Sequence, residues 1–189
     1  MKISAALITL VSMIVIAAVC LYAPMVADAG PGGKSYKGTI TLKRTNSDPD
    51  NNFNESVQFV NLVLASTSDT PGKASWMNTE TPTVTTSVNN QNRENPSISS
   101  PSQNVKAEHT GILLAVDRTH KSYSLTIGPV KQVPATIVAN GETIKDVWEI
   151  QGQTAEEIAL PADATHLKGS KTMKETNGAM VVVSWDLQL

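Results

Sequence analysis

The chain ends with the stretch Ala179-Met180-Val181-Val182-Val183-Ser184-Trp185-Asp186-Leu187-Gln188-Leu189. Successive side chains of an extended strand point to opposite faces, so every second residue shares a face. One face of this stretch is wholly apolar: Val181, Val183, Trp185, Leu187 and Leu189. The pattern predicts a strand that buries one face and closes the core at the C-terminus.

Turn signals place this strand in a hairpin. Asn177-Gly178 precedes it, and Asn140-Gly141 lies in the same way between residues 135–139 and 142–150. Asn-Gly tolerates the positive φ angles of a type I′ turn, which makes it a strong hairpin signal. A third hairpin, with the polar tip 117–121, is predicted between residues 112–116 and 123–127.

Two strands are predicted before these hairpins. Tyr36, Ile40 and Leu42 alternate with polar residues, as in a strand with one buried face. Residues 57–65 are apolar at nearly every position, which predicts a strand covered on both faces.

Two segments depart from this pattern. Residues 66–104 are rich in Ser, Thr, Asn and Pro and predict one long polar loop, with room for short strands near 74–77 and 83–88. Thr154-Ala155-Glu156-Glu157 has capping-box spacing, but Pro161 follows closely. We therefore expect at most one short helix, near residues 154–160.

These signals together predict an all-β fold. Short strands, frequent turns and little helix favour an antiparallel sandwich or a small barrel, and we expect an antiparallel β-sandwich, immunoglobulin-like or jelly-roll-like. Residues 30–189 form one domain in this interpretation. Many extracellular modules share such a pattern, and a likeness of fold does not imply function.

The N-terminus predicts export. Lys2 is followed by a charge-free apolar run and then by Ala27-Asp28-Ala29. These are the parts of a secretory signal peptide, here residues 1–29, so the mature chain is expected in a periplasmic or extracellular space. The run is also long enough for an uncleaved membrane anchor, the alternative interpretation, although Pro24 would break such a helix.

The composition excludes several kinds of chemistry and partner. Cys20, the single cysteine, lies in the predicted signal peptide, so the mature chain has no thiol nucleophile, disulfide or Cys-based metal site. The formal net charge of −2 gives no basic footprint for nucleic acid. A membrane partner is expected only if the N-terminal segment is retained.

One stretch has the composition of a calcium site. Ca²⁺ takes oxygen ligands, and oxygen-bearing side chains recur after the first strand. The candidate ligands are Asp48, Asp50, Asn52, Asn54 and Glu55. The same residue types form ordinary turns, and a plain hairpin loop is the competing interpretation. No other cofactor is predicted.

Trp76 is the candidate ligand-binding aromatic residue, because it stands within the polar stretch. Its ring is either an exposed stacking platform, as for carbohydrate, or a buried anchor that pins a loop. The three histidines, His109, His120 and His166, show no zinc spacing, and no Ser lies in a Gly-x-Ser-x-Gly elbow.

These observations favour an exported, non-catalytic module for binding, adhesion or structure outside the cell, with a cell-surface, carbohydrate or protein ligand. A secreted hydrolase or other enzyme is the first alternative, with Asp48, Asp50 or His109 converging only in the fold. The second is an assembly subunit whose last strand completes a neighbour's sheet.

Overall fold

A computed structural model describes residues 34–48, 50–91 and 97–189 of the chain. The predicted signal peptide lies outside these residues, so export and cleavage stay predictions. The described residues form twelve strands and no helix. The strands are β1 (Tyr36–Asp48), β2 (Asn51–Asp69), β3 (Lys73–Asn78), β4 (Thr83–Gln91), β5 (Ser97–Lys106), β6 (Ile112–Asp117), β7 (Ser122–Ile127), β8 (Val130–Ala139), β9 (Glu142–Ile150), β10 (Gln153–Ala159), β11 (His166–Lys174) and β12 (Met180–Gln188).

All twelve strands belong to one antiparallel sheet, which confirms the all-β prediction. The strand order is β10-β7-β6-β3-β2-β4-β5-β8-β9, while β1 joins β2 to β12 and β11 joins β12. β2 is the longest strand and connects these parts. It pairs with β1 along one edge and, along the other, with β4 in its first half and β3 in its second.

β2 is irregular at its centre, where the register with β1 shifts. Asn61 has a φ of 55°, and the extra residue changes which side chains point inward. Val57 and Phe59 are buried before the shift and Leu62 and Leu64 after it, whereas Val60 and Val63 are exposed. The prediction that residues 57–65 are covered on both faces is therefore wrong, because the bulge hides a one-sided pattern.

The sheet folds over so that strands distant in its order share one core. Trp185 on β12 donates a hydrogen bond from Nε1 to Tyr123 Oη on β7 at 2.9 Å, and the rings meet edge to face at 6.0 Å. Burial raises the pKa of Tyr123. β12 pairs with β1 and β11 along its two edges. The terminal strand thus closes the core, as its alternation predicts.

The predicted hairpins form, with one change of turn type. Asn140 and Gly141 both have positive φ, 53° and 82°, as a type I′ turn requires. In the last hairpin only Gly178 does, at 88°. Glu175 N donates to Ala179 O and Gly178 N to Glu175 O. This turn is therefore the longer kind that ends in a glycine bulge.

Two segments differ from what local composition favours. The short strands allowed near residues 74–77 and 83–88 form as β3 and β4, but the rest of 66–104 is not one long polar loop, because it also contains the end of β2 and β5. The single short helix allowed near residues 154–160 does not form, and these residues lie largely in β10, which pairs with β7. In both cases pairing with a neighbouring strand outweighs local composition, because Ser and Thr are tolerated on strand faces and four residues of helix signal are weak.

Asp186 links stability to pH on the exposed side of β12. Lys168 Nζ and His166 Nε2 each lie 2.7 Å from its carboxylate, and these hydrogen bonds lower the pKa of Asp186. Because the folded-state pKa is lowered, the ionised carboxylate stabilises the protein at pH values above the ordinary pKa of about 4. This stabilisation is lost as the pH falls through the folded-state pKa. Asp186→Asn should lower Tm at neutral pH, and the difference should shrink as the pH falls below the ordinary pKa of about 4. Thermal melts across pH would measure this, with the exposed Glu108→Gln as control.

Candidate functional site

A cavity of about 600 Å³ opens where β1, β2 and β4 face β9 and the turn between β11 and β12. Its walls are formed by Arg44, Phe53, Glu55, Asn90, Trp148, Glu149, Gln151, Gly152, Glu175 and Asn177. No single stretch of sequence contributes more than a few of these residues. The cavity therefore exists only because the sheet folds over itself.

An ion pair is buried in the floor of the cavity. Arg44 and Glu55 are opposite each other on β1 and β2, and Arg44 Nη1 donates to Glu55 Oε2 at 3.2 Å. They are only 5% and 6% exposed. Charges removed from water are tolerated when each is paired and hydrogen-bonded, so each group holds the other in place.

Further hydrogen bonds fix this pair from three directions. Trp148 Nε1 donates to Glu55 Oε1 at 2.8 Å. Arg44 Nε donates to Glu175 Oε1 at 3.0 Å, and its Nη2 reaches Gln151 O at 3.5 Å. The network joins β1 and β2 to β9 and to the turn before β12. The cavity walls are therefore held in fixed positions relative to one another.

A carboxylate remains available as a hydrogen-bond acceptor at the cavity. Asn90 Oδ1, like Thr86 Oγ1 on the same strand, is buried without a hydrogen-bond partner within the described ranges, so a ligand in the cavity does not reach it. Glu175 is 26% exposed at its side chain, and its Oε2 accepts only a long 3.3 Å bond from Asn177. The lining contains three carboxylates, those of Glu55, Glu149 and Glu175, and one cation, Arg44, so it carries excess negative charge. Such a cavity favours a ligand that donates hydrogen bonds.

The five residues predicted to bind calcium are not brought together. Asp48 Oδ1 accepts from the backbone of Asp50 at 2.9 Å, the local bond of an ordinary turn. Asn52 and Asn54 are exposed on the face of β2 opposite to Glu55, which is buried against Arg44. Over the residues that the structure describes, no group of three or more His, Cys, Asp or Glu side chains could hold a metal ion.

Trp76 is buried rather than presented as a stacking platform. Its ring is 6% exposed and meets Tyr36 edge to face, with centroids 5.1 Å apart. Its Nε1 donates to Lys34 O at 3.1 Å. Tyr36 donates to Ala164 O, and burial raises the pKa of Tyr36. Trp76 is thus an anchor for the chain entering β1, which was the competing interpretation.

The residues named for an enzyme are also separated. Asp48 and Asp50 flank the first turn, near the end of β4 that Gln91 forms. His109 is exposed in the turn after β5, beside the opposite end of β4. The structure therefore does not assemble these three groups into one site.

Strand alternation alone would place Trp148 in the core, because it shares its face of β9 with the apolar residues Ile144 and Ile150. Only Ile150 is buried; Trp148 is half-buried at the cavity and Ile144 is 50% exposed. β9 thus leaves the core towards its turn, and its tryptophan faces the cavity.

Comparison with known proteins adds no assignment: no family model, curated protein or solved structure matches this chain. Across the described residues, no helix is long and apolar enough to cross a membrane. The geometry of the cavity itself is therefore the basis for a functional proposal.

Proposed function

We propose that this chain is an exported, non-catalytic binding module with a β-sandwich fold, whose ligand is a saccharide held in the Trp148 cavity. The export part rests on the signal-peptide pattern of residues 1–29. The sandwich part is supported by the hydrogen bond between Trp185 and Tyr123, which connects strands that are not paired neighbours. Two layers of strands around one core are the simplest arrangement that allows such a contact.

The observation that carries the binding proposal is the half-buried ring of Trp148 in the cavity wall. The hydrogen bond from its Nε1 to Glu55 holds the ring, which offers an apolar surface for the C–H face of a sugar. A saccharide also supplies several hydroxyl donors at once, and the partly exposed carboxylate of Glu175 can accept from them.

The test exchanges the two groups that would contact the ligand. Glu175→Gln replaces the accessible carboxylate by a neutral amide of similar size, so saccharide affinity should fall, because a hydroxyl donor on the ligand loses a charged acceptor. Trp148→Ala should weaken binding about tenfold through loss of ring contact. A glycan array would select the ligand, and titration calorimetry would measure its affinity.

Asn89→Leu is the control, since Asn89 is exposed on the face of β4 opposite to that of Asn90, which lines the cavity. It should leave affinity unchanged. If the wild-type protein binds no saccharide on the array, or binds one with equal affinity after Glu175→Gln and Trp148→Ala, the proposal is wrong. Binding of amines in place of sugars would keep the cavity but change the ligand class.

The pairing of β12 does not support the alternative of an assembly subunit that donates its last strand to a neighbour. Both edges of that strand are paired within its own chain, so it has no free edge to offer a neighbour. An enzyme alternative would need titratable groups that approach a substrate in the cavity. Glu55 is already engaged by Arg44 and Trp148, which leaves Glu175 as the more accessible carboxylate.

A further inference from the structure

We infer that the free edge of β9 binds the same edge of a second copy of this chain, in an antiparallel pair centred on Val147. β9 ends the main strand order and pairs only with β8 within the described part of the chain. Its outer face is exposed, with Val147 at 48%. An exposed strand edge is a ready template for another strand.

The hairpin geometry shows which residues of β9 can bond outward. Ala139 and Glu142 close the two-residue Asn140-Gly141 turn and so form a hydrogen-bonded pair. Alternation then directs the N–H and C=O groups of every second residue from Thr143 to Glu149 away from β8. Two observations agree. Val147 is opposite Pro134, which has no N–H, and Val147 N donates to Asp146 Oδ1 at 2.8 Å rather than to β8.

Side-chain chemistry selects one register among those that outward bonding allows. Centring the pair on Val147 places Lys145 of each copy directly opposite Glu149 of the other, so two opposite-charge pairs flank a Val147–Val147 contact. Centring it on Lys145 sets like charges opposite each other. Centring it on Asp146 sets Lys145 against Val147. Only the first register satisfies both charges, and its two-fold symmetry closes the assembly at a dimer.

The pairing also bears on the cavity. In this register Asp146 of one copy is opposite Trp148 of the other, on the face that lines the cavity. The second copy therefore adds a carboxylate beside the tryptophan. Asp146 additionally caps the N–H of Val147 in the free chain, so it must release this group for the central bonds to form. Asp146→Ala should consequently strengthen association.

Sedimentation velocity over a concentration series tests the inference with a charge exchange. The wild-type protein should dimerise, with a Kd on the order of micromolar to 100 μM as expected for a small interface. Lys145→Glu places like charges opposite each other twice and should raise Kd by at least about tenfold. Lys145→Glu combined with Glu149→Lys restores opposite charges and should restore the dimer. Lys106→Glu, on exposed β5 surface, is the control and should change nothing.

Each other outcome overturns part of the inference. A wild-type protein that stays monomeric to about 1 mM has no such interface. A dimer that survives Lys145→Glu forms elsewhere on the surface. A double variant that remains monomeric shows that Lys145 and Glu149 are not opposite each other. Since all these side chains are exposed, circular dichroism and thermal melts should show every variant folded.

Discussion

Replacing Arg44 by leucine is expected to lower the free energy of unfolding by about 3–5 kcal/mol. The guanidinium is 5% exposed and its loss leaves the carboxylate of Glu55, itself 6% exposed, buried without its cation. Desolvation of this carboxylate then opposes folding, and the remaining hydrogen bond from Trp148 Nε1 offsets it only in part. Urea unfolding monitored by tryptophan fluorescence would measure the change, and a loss below about 1 kcal/mol would contradict a desolvated pair.

A double variant distinguishes the lost charge from lost packing. Arg44→Leu with Glu55→Leu removes both charges, and a buried pair exchanged for apolar residues is often close to neutral. We expect the double variant to regain much of the stability that Arg44→Leu loses, although Trp148 Nε1 then lacks its acceptor. Equal losses in the single and double variants would show that side-chain volume, rather than charge, is what the site requires.

This network connects stability with the proposed binding site. Arg44 holds Glu175 and Glu55, and Glu55 holds Trp148. The same groups line the cavity. A ligand that binds only the folded chain stabilises it by mass action, so a saccharide of the correct class should raise Tm as its concentration increases.

Part of this site could be predicted from the sequence. Arg44 continues the buried parity of Ile40 and Leu42, and Glu55 continues that of Val57 and Phe59. The register that sets Asp48 opposite Asn51 also sets Arg44 opposite Glu55. Opposite charges on two buried faces in matching register would therefore have predicted the ion pair. The calcium-site interpretation of residues 48–55 missed this ion pair. It considered how many carboxylates and amides the segment contains, and not which of them share a face of the strand.

The remaining site residues could not be placed this way. Glu175 and Trp148 reach the Arg44–Glu55 pair across the fold, from the last turn and from β9, and no periodicity encodes such distant contacts. The failure over residues 66–104 has a related cause. β4 buries Val84, Thr86 and Val88 between many polar residues, so its alternation is present but its mean composition resembles a loop. Pairing with β2 and β5 then stabilises a strand that local propensity leaves undecided.

Gly38 lies where the backbones of β1 and β12 approach closely, and alanine there should lower the free energy of unfolding by at least about 3 kcal/mol. A Cβ atom there would lie 1.9 Å from the carbonyl oxygen of Asp186 and 2.9 Å from its carbon. These are backbone atoms of β12, which β11 holds from its other edge, so they cannot move aside as the end of a side chain can. The register between β1 and β2 also shifts at Gly38, so the absence of a side chain permits both the bulge and the contact.

Two other glycines distinguish the stability effect of close approach from that of backbone conformation. Gly141 has a φ of 82° and open space around its Cβ position, so Gly141→Ala should be destabilising by about 1 kcal/mol through conformation alone. Gly111 has neither feature, and Gly111→Ala should change stability by less than about 0.5 kcal/mol. Chemical denaturation of the three variants should therefore rank the losses as Gly38, Gly141 and Gly111. If Gly38→Ala is no less stable than Gly111→Ala, the backbones of β1 and β12 do not approach as closely as described. The pairing of β1 with β12, which closes the core, would then be wrong.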